Sequence, residues 1–209
     1  ARLLSSPAAL QLPARADSQQ QDCLYAQVQG QQLAYSDYGP ADGYPVFFIH
    51  SWAGCHLQQP PDHTALQVHK LRLITPDRPG MGYTESVLLT PQEWAQQCLA
   101  LADVLHIREF AVVAYSLGAA FALALATAGG ARISQIQLVC PVAPVRSLSD
   151  LQGMTSSGKL LFTLAAQAPA LASLMVRLWM GKMRAQPWLY LDSVRHHLAP
   201  RDAITMCSP

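Results

Sequence analysis

Phe110-Ala-Val-Val-Ala-Tyr-Ser-Leu-Gly-Ala-Ala-Phe-Ala-Leu-Ala-Leu-Ala126 carries the strongest structural signal in this chain. Its β-branched residues precede Ser116 and its alanines follow, which predicts a buried strand, Phe110 to Tyr115, and then a helix to about Ala128. Gly129-Gly130 is expected to end that helix, because glycine readily adopts the left-handed conformation found after helix ends. The stretch therefore predicts a strand, a tight turn and a helix, with one serine on the turn.

A membrane-spanning helix is the competing interpretation of this region. No charged residue occurs from Phe110 to Ala131, and an apolar run of that length is enough to cross a bilayer. The separation of β-branched residues before Ser116 from alanines after it is instead typical of a buried parallel strand followed by a packed helix. We therefore expect two core elements and no membrane span.

Ser116 is a candidate nucleophile. Ala114-Tyr115-Ser116-Leu117-Gly118 has the spacing of the nucleophile elbow G-x-S-x-G, with alanine in place of the first glycine. A serine hydroxyl reacts well only when the fold lifts its oxygen clear of neighbours and aims backbone N–H groups at the developing oxyanion. A sharp strand-to-helix turn does both, so the motif predicts a reactive serine.

Further elements precede and follow this segment. The capping box Thr90-Pro-Gln-Glu93 predicts the start of an amphipathic helix. Short apolar runs predict an opening antiparallel hairpin, formed by Cys23–Val28 and Gln32–Tyr38. Three more runs predict buried strands at Pro45–His50, Leu71–Thr75 and Ile133–Cys140. A helix is expected between the first two of these three strands. Alternating strands and helices predict an α/β fold with a mostly parallel sheet.

The chain divides into three regions by composition. Residues 1–22 are predicted to be a linker or the tail of an upstream domain, 23–144 a core, and 145–209 a helical cap. Within the cap, apolar helical segments are expected to be broken at Gly153, Gly158, Pro169, Gly181 and Pro187. Its apolar residues predict either an apolar substrate pocket or ordinary core packing: Leu160, Leu161, Phe162, Leu174, Met175, Leu178, Trp179 and Met180.

Three landmarks occur in order along the core. His50-Ser-Trp-Ala-Gly54 follows one buried strand, Asp77-Arg-Pro-Gly-Met-Gly-Tyr-Thr84 follows the next, and Ser116 follows the third. Together they resemble the alpha/beta hydrolase family over roughly residues 29 to 141, most of all esterase-like members with H-G-x-x-G and D-R-P-G-x-G-x-S segments. Ser51 stands where those members usually have glycine. The resemblance implies an alpha/beta hydrolase fold.

The same resemblance implies roles for particular residues. Ser116 would be the acylated catalytic nucleophile, and the backbone N–H groups of Trp52 and Leu117 would form the oxyanion hole. His50 and Tyr115 would shape the site, because proton transfer in this family belongs to a histidine later in the chain. The side chain of Ser51 is expected to affect the loop that presents Trp52.

No metal or cofactor is predicted. Asp77 and Arg78 are interpreted as structural residues of a turn. Adjacent His196 and His197 would point apart on a helix, and the other histidines after His50 occur singly, so a metal site is not favoured. The single histidines are His56, His63, His69 and His106.

The acid and histidine of a triad are not found after Ser116 in this sequence. The family places both beyond two further strands that follow the cap, so we expect the core to be incomplete at Pro209 and the chain alone to be inactive. Without those strands, Ile133–Cys140 is expected to be an unpaired apolar edge. Pairing of Asp150, Asp192 or Asp202 with His196 or His197 is the weaker alternative, since all lie in the predicted cap.

Composition narrows the kinds of partner. The chain is 51% hydrophobic and carries a formal net charge of +1, which argues for a globular domain and against contact of this portion with nucleic acid or acidic membrane. Five cysteines without paired spacing favour a cytoplasmic location over a secreted disulfide framework. Oligomeric state cannot be read from these features.

Two functions follow from the sequence. The first is a serine hydrolase that cleaves a small apolar ester, amide or related carbonyl compound through an acyl-enzyme. The second is a ligand-binding sensor on the same fold, coupled to a transcriptional regulator. It rests on Ser51 and on Ala1-Arg-Leu-Leu-Ser-Ser-Pro7, which resembles the last helix of response-regulator-type helix-turn-helix domains.

Overall fold

The computed structural model describes residues 23–52, 54–58, 63–143 and 145–189. The chain forms two compact units that divide after Ala143. The predicted linker at 1–22 and the alternative triad residues Asp192, Asp202, His196 and His197 lie outside the described residues. The domain boundaries drawn from composition stay predictions.

The first unit contains a six-stranded mixed sheet. Its strands are β1 (Leu24–Val28), β2 (Gln31–Tyr38), β3 (Tyr44–Ile49), β4 (Leu71–Pro76), β5 (Phe110–Tyr115) and β6 (Ile133–Val139). They lie in the order β1-β2-β4-β3-β5-β6, with antiparallel pairing from β1 to β4 and parallel pairing among β4, β3, β5 and β6. This confirms the predicted fold class, a mostly parallel sheet that opens with an antiparallel hairpin.

The described residues of this unit form three α-helices: α1 (Thr64–Val68), α2 (Pro91–Val104) and α3 (Gly118–Gly129). The predicted capping box begins α2, where the Thr90 hydroxyl accepts the Glu93 N–H and the Glu93 carboxylate accepts the Thr90 N–H. Helix α3 ends as expected, with Gly130 in the left-handed region at φ +52°. Helices α2 and α3 therefore begin or end where the sequence places these signals, and α1 is the helix expected between β3 and β4.

The core packs α2 and α3 against the sheet. Trp94 of α2 is fully buried and meets Phe121 of α3 edge to face, with ring centroids 5.4 Å apart. Its indole N–H donates to the Asp77 carbonyl, 3.2 Å away, at the end of β4. Phe47 and Phe110 are also fully buried, and their ring centroids lie 4.3 Å apart on neighbouring strands β3 and β5. This packing fixes the carboxyl ends of the parallel strands, where the candidate site lies.

The second unit is helical over its described residues, with α4 (Ser156–Gln167) and α5 (Pro169–Ala185) after a short 3₁₀ turn. Pro169 begins α5, as the predicted break requires. The expected breaks at Gly158 and Gly181 are wrong, because both residues lie inside helices. A helical glycine costs only about 1 kcal/mol relative to alanine, which neighbouring good helix formers can offset.

Asp150 has a structural role in this unit. Its carboxylate accepts the backbone N–H groups of Arg146 and Ser147, and these two bonds lower its pKa.

Across the described ranges, none of the helices combines the length and the apolar character that a membrane crossing requires.

Candidate active site

Ser116 has a backbone conformation that non-glycine residues rarely adopt. Its φ is +55°, in the left-handed region, immediately after β5 and before α3. The turn is held by the Ser116 N–H, which donates to the Val139 carbonyl at 3.0 Å, and by the Ser116 carbonyl, which accepts the N–H of Ala119 at 3.1 Å. A strained residue persists only where its surroundings over-determine it, and such residues cluster at functional sites.

The small residues at positions 114 and 118 of the elbow are explained by different constraints. A Cβ atom on Gly118 would lie 2.5 Å from the Ile49 carbonyl oxygen and 2.8 Å from that of His50, so only glycine fits where α3 crosses the end of β3. Ala114 is fully buried in β5, and its φ is not positive. Alanine therefore replaces the first glycine of the motif without strain, because the left-handed angle falls on Ser116.

The residues beside Ser116 differ in their surroundings. Leu117 is the N-cap of α3 and is half-buried. The first N–H groups of a helix have no carbonyl partner within the helix and carry partial positive charge, so this position suits a developing anion. Tyr115, the last residue of β5, is 39% exposed. The structure thus places both predicted neighbours at the carboxyl end of the sheet.

His50 lies at the end of β3 and is completely buried. Its Nε2 accepts the backbone N–H of Arg78 at 3.1 Å, so the proton is on Nδ1, which donates to the Ser51 carbonyl at 2.9 Å. Desolvation, assisted by the charge of Arg78, lowers the pKa of His50 to about 4. His50 is therefore a neutral residue with both ring nitrogens engaged, which agrees with a shaping role and leaves no nitrogen for proton transfer.

The loop after His50 is held by a side chain and a backbone turn of its own. The Gln58 side-chain oxygen accepts the Ser51 N–H at 2.7 Å, and the Gly54 N–H donates to the Ser51 carbonyl at 3.1 Å. A Cβ atom on Gly54 would lie 2.3 Å from the Gln58 oxygen, so a side chain there would displace the group that accepts the Ser51 N–H. Ser51 and Trp52 are half-buried in this loop.

Arg78 connects this loop to the rest of the core. Its Nη2 donates to the carbonyls of Ser51, at 2.5 Å, and Trp52, at 3.3 Å. Its guanidinium lies over the ring of Phe121, 4.9 Å from the centroid, and the residue is only 5% exposed. Burial lowers the pKa of Arg78 to about 10, so the side chain stays charged at neutral pH.

Asp77 and His56 form a buried pair that the sequence analysis did not foresee. One carboxylate oxygen of Asp77 accepts the His56 backbone N–H at 2.6 Å, and the other lies 2.8 Å from His56 Nδ1 and 2.9 Å from the Tyr83 N–H. The carboxylate also fills the space beside Gly82, where a Cβ atom would lie 2.0 Å from it. Asp77 thus organises its own turn and the preceding loop, in agreement with its structural interpretation.

The sequence analysis placed His56 singly in a loop, and its contact with Asp77 was not predicted. Because the carboxyl ends of neighbouring parallel strands meet at one edge of a sheet, residues that follow β3 and β4 lie close together. That rule would have paired His56 with Asp77.

Cys55, His56 and Asp77 are a possible metal-ligand set among the described residues. Their ligand atoms all lie within 4.8 Å of one another. Both Asp77 oxygens already accept N–H donors, and burial raises the pKa of the Cys55 thiol, which disfavours the thiolate that metals require. The hydrogen-bonded arrangement explains the cluster, and the absence of a metal stays a prediction.

The fold, with a strained serine on the turn after a central parallel strand, defines a class of α/β protein. Residues 46–207 match the model of the Alpha/beta hydrolase family, and the chain belongs to that family. A non-heme chloroperoxidase from Streptomyces lividans is 31% identical over 124 residues, which is 58% of this chain and 45% of that protein. The chain therefore spans less than half the length of this curated relative.

Solved structures are similar in fold. Cfl2 from Burkholderia cenocepacia has a TM-score of 0.62 at 17% identity, over 87% of this chain and 63% of that one. An epoxide hydrolase from Vigna radiata has a TM-score of 0.54 at 22% identity, over 66% and 46% of the two chains. Naproxen esterase from Bacillus subtilis has a TM-score of 0.52 at 20% identity, over 57% and 43%. At these identities the likeness concerns the fold alone.

Proposed function

We propose that this protein is a serine hydrolase that acts on a small apolar ester, amide or related carbonyl compound through an acyl-enzyme. The observation that carries the proposal is the left-handed backbone of Ser116 between β5 and α3. Serine has no local reason to adopt that conformation, and a strained residue on a strand-to-helix turn is typical of a nucleophile whose hydroxyl is served by the first amides of the following helix.

The reaction has two steps. Ser116 Oγ attacks the carbonyl carbon and gives its proton to a general base, while the N–H groups of Leu117 and Trp52 stabilise the negative oxygen of the tetrahedral intermediate. Collapse expels the alcohol or amine, which takes up the proton. Water then attacks the acyl-serine with the base removing its proton, which releases the acid and restores the hydroxyl.

The general base and its acid are proposed to lie outside the described residues. His50 uses both ring nitrogens in hydrogen bonds to the core, and Nδ1 of His56 faces Asp77. The order serine, acid, histidine that is usual in this family places both partners after Ser116. Neither histidine of the β3 loop fits that order.

Labelling by a fluorophosphonate probe tests the nucleophile. We expect the full-length protein to be phosphonylated at Ser116 and the Ser116→Ala variant to take no label, because the probe forms a covalent bond with an activated serine oxygen. The matched control is Ser134→Ala, which removes an exposed serine on β6 that is hydrogen-bonded to Tyr44. Folded protein that takes no label, or equal labelling of the Ser116→Ala variant, would contradict the proposal.

The similarity to a non-heme chloroperoxidase supports a second candidate for the same serine. Hydrogen peroxide is a nucleophile that can replace water in the second step, so that the acyl-serine yields a peracid and the free hydroxyl. Peracid formed from acetate or an acetyl ester with hydrogen peroxide, lost in Ser116→Ala, would favour this activity. Hydrolysis without peracid would favour the first.

A further inference from the structure

The Ser51 carbonyl oxygen has an unusual concentration of hydrogen-bond donors. It accepts the Arg78 Nη2 at 2.5 Å, the His50 Nδ1 at 2.9 Å and the Gly54 N–H at 3.1 Å. A carbonyl oxygen has two lone pairs, and one of its three donors here is a charged guanidinium in a buried position. The orientation of this peptide unit is therefore strongly determined.

That carbonyl shares a peptide unit with the N–H of Trp52. The unit is planar and trans, so its C=O and N–H point in opposite directions. No cis peptide bond occurs in the described part of the chain. Holding the Ser51 oxygen against Arg78 thus directs the Trp52 N–H away from Arg78. The hydrogen bonds on the Ser51 carbonyl therefore set the direction of the Trp52 N–H, the donor assigned to the oxyanion hole.

The loop begins against the elbow. The carbonyl oxygens of Ile49 and His50 are so close to the first residue of α3 that only glycine fits at position 118. The peptide between Ser51 and Trp52 follows directly. Backbone packing against the elbow therefore fixes the residues just before this peptide, and the donors on the Ser51 oxygen fix its rotation.

Arg78 controls two of those three donors. Its side chain supplies one directly. Its backbone N–H donates to His50 Nε2, which places the histidine proton on Nδ1 and so creates the second. The guanidinium also lies over Phe121 of α3, so the same side chain contacts the helix that follows the nucleophile. A cation in a weakly polar interior further polarises the peptide and strengthens its N–H as a donor.

We infer that Arg78 is a positioning residue for the reaction, which orients and polarises the peptide between Ser51 and Trp52 so that the Trp52 N–H serves the oxyanion. This inference rests on the proposed function. It extends that function by assigning a role in transition-state stabilisation to a buried residue that sequence alone marks only as part of a turn.

The test measures the rate of Ser116 phosphonylation and the hydrolysis of p-nitrophenyl butyrate by the full-length protein. Arg78→Met should lower the labelling rate and kcat about a hundredfold with little change in KM, the loss typical of one oxyanion donor. Arg78→Lys should lose about tenfold, because an ammonium keeps the charge but lacks the planar group that lies over the Phe121 ring while Nη2 contacts both loop carbonyls. Millimolar guanidinium should restore part of the rate in Arg78→Ala, and methylammonium should restore less.

Arg72→Met is the matched control. Arg72 lies on β4 and forms a partly buried ion pair with Asp37, with Nη2 and the carboxylate 2.6 Å apart. Its loss should reduce stability and leave the labelling rate of the folded protein unchanged. Wild-type labelling rates in folded Arg78→Met, an equal decrease in Arg72→Met, or a change in KM alone would overturn the inference.

A second readout separates this inference from the proposed function. If the wild-type protein takes no label, the proposed function fails while the peptide orientation can still be measured. The amide ¹⁵N and ¹H resonances of Trp52 should shift in Arg78→Met and stay in place in Arg72→Met. An unshifted Trp52 resonance in folded Arg78→Met would reject a positioning role for Arg78.

Discussion

Ser116 combines the chemical and the conformational demands of the site in one residue. Its left-handed backbone is tolerated because hydrogen bonds from β6 and α3 hold the turn. Among the described residues that follow strands, Cys140 also has a positive φ, +46°, directly after Val139, the partner of the Ser116 N–H. Two adjacent strands thus end in similar strained turns at the same edge of the sheet.

Ser116→Gly should make the protein more stable and remove its reactivity. Glycine adopts positive φ without steric cost, so we expect the free energy of unfolding to rise by about 1 kcal/mol. Urea denaturation, monitored by tryptophan fluorescence, measures this change, and the fluorophosphonate probe measures the loss of the nucleophile. A variant less stable than wild type would show that the serine side chain contributes more than its backbone strain costs.

His50 should make stability depend on pH. The pKa of His50 is lowered from 6.5 to about 4 in the folded state, so the unfolded chain binds more protons between these values. Folding stability is therefore complete above pH 6.5 and is lost as pH falls toward 4, by on the order of 3 kcal/mol for this group. Protonation of Nε2 would also break its hydrogen bond with the Arg78 N–H.

Denaturation curves at several pH values between 4 and 7 check this expectation. His50→Gln keeps a side-chain acceptor and removes the titration, so its unfolding free energy should vary less over this range than that of the wild type. Equal slopes in the two proteins would assign the pH dependence to other groups.

At the scale of elements, the crossing of α3 over the end of β3 sets the position of the turn that carries Ser116. Gly118→Ala would place a Cβ atom 2.5 Å from the Ile49 carbonyl oxygen, and backbone atoms on both sides would have to move. We expect a loss of several kcal/mol of stability, within the range of severe overpacking, together with slower labelling of Ser116.

Gly181→Ala is the matched control for that prediction. Gly181 lies inside α5, and nothing within 4 Å would meet its new Cβ atom. The higher helix propensity of alanine should raise stability by up to about 1 kcal/mol. Thermal unfolding of both variants compares them directly. Similar effects of the two substitutions would show that α3 does not approach β3 as closely as described.

At the scale of the whole molecule, local signals predicted most of the first unit. The capping box at Thr90, the apolar strand before Ser116 and the glycines after α3 are short-range features, and each appears where the sequence places it. In natural sequences the local structural preferences agree with the overall fold. The family landmarks added the order in which these elements surround the site.

What the sequence did not predict depends on contacts between distant segments. The pairing of His56 with Asp77 and the contact of Arg78 with the Ser51 carbonyl join residues that follow different strands. The periodicity of apolar residues predicts single helices and strands, and it carries no information on which loop residues contact each other. The misplaced breaks at Gly158 and Gly181 have the opposite origin, since there a local preference was too weak to end a helix.

The three donors on the Ser51 oxygen have a consequence for vibrational spectroscopy. Strong hydrogen bonds draw electron density toward a carbonyl oxygen, lengthen the C=O bond and lower its stretching frequency. An isotopically labelled carbonyl at position 51 would absorb on the low-frequency side of the amide I band. A change in this frequency during catalysis would report the negative charge that develops on the substrate, because the N–H of the same peptide would bind that charge.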